Sequence, residues 1–330
     1  MTELEFDVGR AVPFHVARDP VNLPVIRRWC DAMGDRNPVH TDKEVAARSR
    51  FGRIVAPLAM LDVWTNPGFA YERDTSDVQG AAFETLDRAG FTSAVAVNSE
   101  LAQERPLVLG DELRSTVMLE SVSAEKSTAI GAGHFVTTCH DFTADGEPVG
   151  HKRFTVFKFR PTGDRRTGSA SSSTTDPAAE GGDGAAAPAR DALGTVLAGS
   201  LDVADPVPLR AIALTTTLVV SGALMTSDYF EAHHDRDAAI RRGSQDVFMN
   251  IHTTLGLIEA WLSEWLGPNA RWRSMSVQLG TTNYPGDVMT LTGDVATIDA
   301  ASGATTLAVR ATNALGTHAH GAVEIELPTS

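Results

Sequence analysis

The stretch Gly34-Asp35-Arg36-Asn37-Pro38-Val39-His40 sets a carboxylate and an imidazole five residues apart with a proline between them, and Asp228-Tyr229-Phe230-Glu231-Ala232-His233 echoes it 193 residues later. On an unbroken helix, residues five apart lie about 140° apart, so an Asp and a His at this spacing meet only if the chain breaks between them. Asn37-Pro38 supplies the break, because the residue before a proline is driven out of the helical region. In the second copy Phe230-Glu231 stands where Asn-Pro would be, so that loop must be shaped by other contacts. Two pairs at matching positions, each followed by an apolar helical pattern, predict one module used twice.

Composition sets the frame. With 330 residues, 42% of them hydrophobic, the chain can bury two ordinary cores. A formal charge of -14 argues against a nucleic-acid partner, whose phosphates call for clustered Lys and Arg. Cys30 and Cys139 are too few for a disulfide framework and read as reduced thiols. The acidic start Met1-Thr2-Glu3-Leu4-Glu5-Phe6-Asp7 has no apolar run, so no signal peptide is expected, and a cytoplasmic location is. No stretch approaches the roughly 18 apolar residues that a membrane span needs.

Between the repeated motifs lies a tract rich in Ser, Gly and Ala, including Thr167-Gly168-Ser169-Ala170-Ser171 and Gly181-Gly182-Asp183-Gly184. It holds too few large apolar groups to offset its ordering entropy. The expected division is a first domain over residues 1–160, a flexible linker over 161–192 and a second domain over 193–330.

Each half offers the same series of elements. In the first, the Asp/His pair precedes a helical pattern starting near Ala56-Pro57-Leu58-Ala59-Met60, then strand-like runs at 107–113 and 154–159. In the second it precedes a helix marked by Phe248, Ile251, Leu255, Ile258, Leu262 and Trp265, then runs at 285–291 and 322–327. Asp35 to Asp111 is 76 residues whereas Asp228 to Asp287 is 59, which places a 17-residue insertion at about 66–90, after the first helix. Strand runs around one long helix with Gly and Asp turns give an α+β class with antiparallel sheets. Two such domains would pair as a pseudo-dimer.

The residues Gly34-Asp35-x-Asn37-Pro38-x-His40 followed by Phe51-Gly52-Arg53-Ile54-Val55-Ala56-Pro57 resemble the signature of the MaoC-like (R)-specific enoyl-CoA hydratases. The second half, through His233-His234-Asp235-Arg236-Asp237, Gly243-Ser244-Gln245-Asp246 and Asn250-Ile251, is similar to one subunit of the paired MaoC-like hydratases of bacterial steroid side-chain degradation. The first half, with Ala56-Pro57-Leu58-Ala59-Met60 and Val63-Trp64-Thr65, resembles the other. The resemblance implies a double hot dog, in which each sheet wraps a central helix, and a natural fusion of two subunits. It also implies hydration of an enoyl-CoA, of which a steroid-CoA with a partly degraded side chain is the expected example. The family's two-plus-two assembly would correspond to a homodimer of this chain. The first-type subunit often carries an OB-fold domain with no counterpart in this sequence, which leaves open whether product is handed directly to the aldolase such a domain recruits.

Adding water to an α,β-unsaturated thioester needs a base for the water proton, an acid for the α-carbon and donors for the developing enolate oxygen. An Asp/His pair can hold the water and serve both proton steps. In the family a glycine amide at the start of the central helix donates to the thioester oxygen. Matching that position to this sequence puts Pro57 there in the first half, with no N–H to give, and Asn250 in the second, with its backbone amide intact. This favours Asp228 and His233 as the catalytic pair, with Asp35 and His40 as the second candidate pair. If the pair of one half uses the helix of the other, the assignment reverses to Asp35 and His40 with Asn250.

Coenzyme A would belong to the substrate, and no separate cofactor is expected. Its phosphates need a local basic patch, for which Arg241 and Arg242 are candidates, with Arg271 and Arg273 beside them and Arg48, Arg50 and Arg53 in the first half. His318-x-His320 and His233-His234 lack a Cys or carboxylate at ligand spacing, so no metal is expected. Tyr284, Trp261, Trp265 and Trp272 read as core residues before pocket residues. Two other classes stay open: a non-catalytic acyl-CoA binding or scaffold protein, and a hot-dog thioesterase.

Overall fold

The structure is a computed structural model that describes residues 4–69, 77–161 and 187–329. The first half runs β1 (Ala11–Val16), α1 (Leu23–Met33), α2 (Lys43–Arg48), α3 (Val78–Arg88), β2 (Ser93–Gln103), β3 (Leu113–Val122), β4 (Lys126–Thr128), β5 (Gly131–Ala144) and β6 (Glu147–Pro161). The second runs β7 (Pro206–Ala213), α4 (Thr216–Met225), α5 (Arg236–Arg241), α6 (Ile251–Leu266), β8 (Arg271–Leu279), β9 (Val288–Ile298), β10 (Ala304–Asn313) and β11 (Gly316–Glu326).

All strands among the described residues belong to one antiparallel sheet in the order β1-β3-β5-β6-β2-β8-β11-β10-β9-β7, with β4 on the side of β5. The order of the first five strands is the reverse of the last five, element for element, which is the internal twofold that the repeated motif implies. The halves meet where β2 pairs with β8, Asn98 opposite Gln278 through Ala102 opposite Ser274. The α+β double hot-dog architecture expected from the sequence is therefore present, with its two sheets joined edge to edge into one. Joining them leaves neither β2 nor β8 as an exposed edge.

The halves differ in what the sheet encloses. Helix α6 is buried on every side, with only Glu264 exposed and Trp265 partly so. That is the behaviour of a helix wrapped by its sheet rather than laid on it. Its start is one turn later than Phe248, and Asn250 is its N-cap, the side-chain oxygen accepting the Thr253 amide at 2.9 Å.

The helical pattern expected near Ala56–Met60 does not become a long helix. Pro57 starts a single 3-10 turn at Leu58–Met60, and a second follows at Val63–Thr65. The chain then passes through 70–76, outside the described residues, to α3, which covers a separate small core of Val12, Val78, Ala82, Leu86, Phe91, Val117, Leu119 and Val136. The proposed insertion at 66–90 thus contains α3 itself.

The runs at 107–113 and 285–291 are turns leading into strands. The first contributes one isolated bridge, Val55 with Val108, before β3 begins at Leu113, and the second enters β9 at Val288. Of the expected linker, residues 162–186 lie outside the described residues. Residues 187–192 are tied down: Arg190 bridges Val196, and Asp191 accepts the Asn269 side chain at 2.6 Å.

The two halves share one main core, in which α1 of the first half packs on α4 and α6 of the second. Gly256 permits this, because a Cβ there would lie 2.8 Å from Trp29 and 2.9 Å from Met33. Replacing Gly256 with Val should overpack this contact and cost about 1–3 kcal/mol, read as a lower urea midpoint with an unchanged denaturant slope.

Candidate active site

Both Asp/His pairs are built to one plan. In each half the aspartate follows a long helix, the histidine closes a short 3-10 turn, and the histidine Nδ1 lies 2.7 Å from a carbonyl, Val55 for His40 and Phe248 for His233. The shift of 193 residues holds for aspartate, histidine and carbonyl alike. Asn37 and Phe230, the residues at the break, have nearly the same backbone angles, φ -64° ψ 113° and φ -62° ψ 119°. Asn37 is fixed by the proline after it and by its side-chain oxygen, which accepts the Val39 amide at 3.1 Å. Phe230 reaches the same conformation without proline: its ring sits 5.5 Å from that of His233, with the Arg242 guanidinium 5.0 Å above it. Those are the other contacts that the sequence left open.

A carbonyl can only accept, so Nδ1 of each histidine carries a proton and, in the neutral ring, Nε2 is an acceptor. It faces another acceptor, Asp228 Oδ2 at 3.5 Å in the second half and Asp35 Oδ2 at 3.8 Å in the first. Two acceptors at this separation call for a shared donor. A water molecule giving one proton to each satisfies both, which is the arrangement a hydration base requires.

The second pair is open and the first is closed. The Asp228 and His233 side chains keep 24% and 9% of their surface, whereas Asp35 and His40 keep 2% and 3%. Asp228 is also better held. Oδ1 lies 3.3 Å from the Phe230 amide and Oδ2 accepts from the Asn250 side chain at 3.0 Å. Burial pushes its carboxyl up, but His233, His252 and the Asn250 hydrogen bond outweigh this and hold it below the usual carboxylate range.

The start of α6 gives the electrophilic side of the site. The first four amides of a helix have no partner within it. Asn250 takes the Thr253 amide with its side chain and accepts Thr254 at its carbonyl. The amides of Ile251 and His252 have no acceptor among the described residues. Asn250, singled out in the sequence for its backbone amide, therefore also caps the helix and hydrogen-bonds Asp228.

In the first half the matching amides, those of Leu58 and Ala59, are taken. Each donates at 2.7 Å to one carboxylate oxygen of Glu259, which reaches across from α6 and is buried. Burial, reinforced by the charge of Asp35, pushes Glu259 up to about 8 against the pull of the two amides. Beside this lies a buried set formed by both halves: Lys152 pairs with Asp62, and His252 Nε2 lies 2.8 Å from Asp62 and 3.1 Å from Lys152. Burial works to raise the Asp62 carboxyl, and Lys152 and His252 hold it far below its usual range.

Glu259, Asp62, Lys152 and His252 were not singled out from the sequence. Glu259 alone left a signal, as a charge between core positions Ile258 and Leu262 of an otherwise apolar helix. Arg241 and Arg242 end α5 on the surface, with Arg242 paired to Glu231 at 3.1 Å. His318 is a core histidine, with Nε2 2.9 Å from the Thr254 hydroxyl and Nδ1 2.7 Å from the Thr281 carbonyl. His234 Nε2 lies 3.2 Å from the Tyr229 carbonyl. Trp261 is core, its indole donating to the Pro208 carbonyl at 2.7 Å, whereas Trp272 lines a small pocket beside His40. No helix among the described residues is long and apolar enough to cross a membrane.

Residues 8–152 match the family described as FAS1-like, dehydratase domain region. The chain is 40% identical over 148 residues to a probable enoyl-CoA hydratase alpha subunit of Thermomonospora curvata, covering 44% of this chain and 46% of that protein. It is 36% identical over 148 residues to the 3-oxo-4,17-pregnadiene-20-carboxyl-CoA hydratase alpha subunit of Mycobacterium tuberculosis, covering 45% and 48%. To the beta subunit of the same name and organism it is 39% identical over 114 residues, covering 34% of this chain and 87% of that one. A solved MaoC-like dehydratase superposes with a TM-score of 0.72 at 21% identity, over 99% of this chain and 100% of the other. The chain belongs to the MaoC-like enoyl-CoA hydratase family. It spans about half the length of the two alpha subunits it matches.

Glu259 gives the fold a definite pH response. Its ordinary value is 4.5, and in the fold it keeps its proton to about 8, so between those values the folded state binds the extra proton and stability falls as pH rises. Above about 8 this group adds no further loss. In Glu259→Gln the slope is absent, so the melting temperature of the variant relative to wild type should climb steadily from pH 5 to pH 8.

Proposed function

We propose that this chain is a hydro-lyase that adds water across the double bond of an α,β-unsaturated acyl-CoA, with Asp228 and His233 as its acid–base pair. The observation that carries this reading is the open pair beside a helix start whose first two amides have no acceptor. Water held between Asp228 Oδ2 and His233 Nε2 gives up a proton to the pair as its oxygen bonds to the β-carbon. The amides of Ile251 and His252, with that of Asn250 next to them, face the negative charge gathering on the thioester oxygen, and the helix dipole adds to their pull. The pair then returns a proton to the α-carbon. No cofactor is needed for these steps, because coenzyme A is the handle of the substrate. Arg241 and Arg242, on the surface beyond the Asp228–His233 turn, are the proposed contacts for its phosphates.

The acyl group we assign is a steroid carrying a partly degraded side chain. Two curated relatives are named for a pregnadiene-carboxyl-CoA substrate. The first half also replaces a long central helix with two 3-10 turns, so the halves are unequal, as a bulky fused-ring group would require. One chain that matches both alpha and beta subunits supports a fusion of the two, and a homodimer of it is the assembly that follows. A thioesterase is less well supported, since the relatives reported above are named hydratases.

Asp228→Asn should lower kcat for a steroid enoyl-CoA by 10²–10⁴-fold, followed as loss of the enone absorbance, with no thiol released in either protein. Asp35→Asn should cost less than about threefold in the same assay. The opposite ranking would move the active site to the first half, and thiol release by wild type would replace the hydratase with a thioesterase. Asn250→Ala removes a cap and the hydrogen bond to Asp228 together, and should lower kcat at least tenfold as well as the melting temperature.

A further inference from the structure

The two amides that Glu259 occupies are the counterparts, 193 residues earlier, of the Ile251 and His252 amides beside Asp228. An oxygen receiving both of these N–H groups is what a thioester carbonyl would be at the start of α6. In the first half the Glu259 carboxylate is already in that position. The rest of that half-site is intact. Asp35 Oδ1 accepts the Asn37 amide at 2.9 Å, and His40 donates from Nδ1 to the Val55 carbonyl. His40 Nε2 is buried with no hydrogen-bond partner. A crevice of about 10 Å³, lined by Asn37, Val39, His40, Phe51, Gln103 and Trp272 among others, lies against this ring.

The block is one-sided. The residue matching Glu259 in the first half is Asn66, and its side chain donates to the Thr226 carbonyl at 2.8 Å. It is a shorter group, and it is spent on a carbonyl.

We propose that Asp35 and His40 form a second acyl-thioester hydration site, which Glu259 keeps closed as a resident ligand. The proposal rests on the reading of the second half as a hydratase. Taking away the Glu259 carboxyl group frees two amides for a thioester oxygen. The chemistry is that of the second half: the Asp35–His40 pair takes a proton from water, the water oxygen bonds to the β-carbon, the double-bond electrons move to the α-carbon, and the proton returns there. Nothing is oxidised or reduced.

The test uses crotonyl-CoA and four full-length proteins: wild type, Asp228→Asn, Asp228→Asn with Glu259→Ala, and the same double variant with Asp35→Asn added. The Asp228→Asn protein should fall below about 1% of wild type, in line with loss of an acid–base group. Adding Glu259→Ala should raise it at least tenfold, and adding Asp35→Asn should remove the gain. A double variant that melts cooperatively and is no more active than Asp228→Asn overturns the proposal, as does a gain that survives Asp35→Asn. If the alanine variant does not fold, calorimetric titration of wild type with butyryl-CoA decides: one molecule per chain supports a closed first site and two overturn it. If Asp228→Asn alone keeps full activity, it is the reading of the second half that fails, and this is seen before Glu259 is touched.

Discussion

An amide at the start of a buried helix must find an acceptor, and the two halves of this protein meet that demand in opposite ways. In the first, the protein supplies the acceptor from within, as the Glu259 carboxyl group. In the second, the Asn250 side chain takes one amide and leaves two facing the Asp/His pair, a cost that a bound carbonyl would repay. Backbone angles, histidine tautomer and carbonyl partner agree in both halves. On the proposed reading, the difference between the two halves comes down to which amides are left for a ligand.

The first half still shapes the second. Asn66 donates to the carbonyl of Thr226, whose hydroxyl accepts from the Asn250 side chain at 2.8 Å, and Asn250 in turn holds Asp228. Asp62 and Lys152 meet His252 on the first turn of α6. Removing one member of a buried charged set is far more damaging than exchanging the whole set for apolar residues, so these contacts tie the two modules together. Residues of the first half thus help to hold the start of α6 and the Asn250–Asp228 contact in place.

Much of this was legible in the sequence because the repeat is regular. Asp35, His40, Asp228 and His233 are each where the motif implies, Pro57 precedes a 3-10 turn and Asn250 caps α6. What the pattern could not show was that apolar residues around Pro57 form turns. Leu58, Ala59, Met60 and Leu61 are as apolar as a helix would be, but a proline start and the departure of the chain toward α3 leave only short 3-10 segments. Burial by contacts from the other half, rather than helical periodicity, explains why those residues are apolar. Glu259 showed in the sequence only as a lone charge in an apolar helix, and its role was hidden because its partners are about 200 positions away. The turn at Phe230 was read correctly as needing substitutes for proline, yet the ring and guanidinium that provide them could be found only in three dimensions.

The seam between β2 and β8 has a consequence for how the chain assembles. Its ladder joins residues near 100 to residues near 276, whereas the neighbouring pairs β5 with β6 and β10 with β11 are hairpins. Contacts so remote in sequence form late, because the loop between them must first be closed. Each module is therefore expected to gather its own strands first, leaving two unsaturated sheet borders until they zip. During that interval the borders are open to a neighbouring chain, and a tether between the modules keeps the correct border closest at hand.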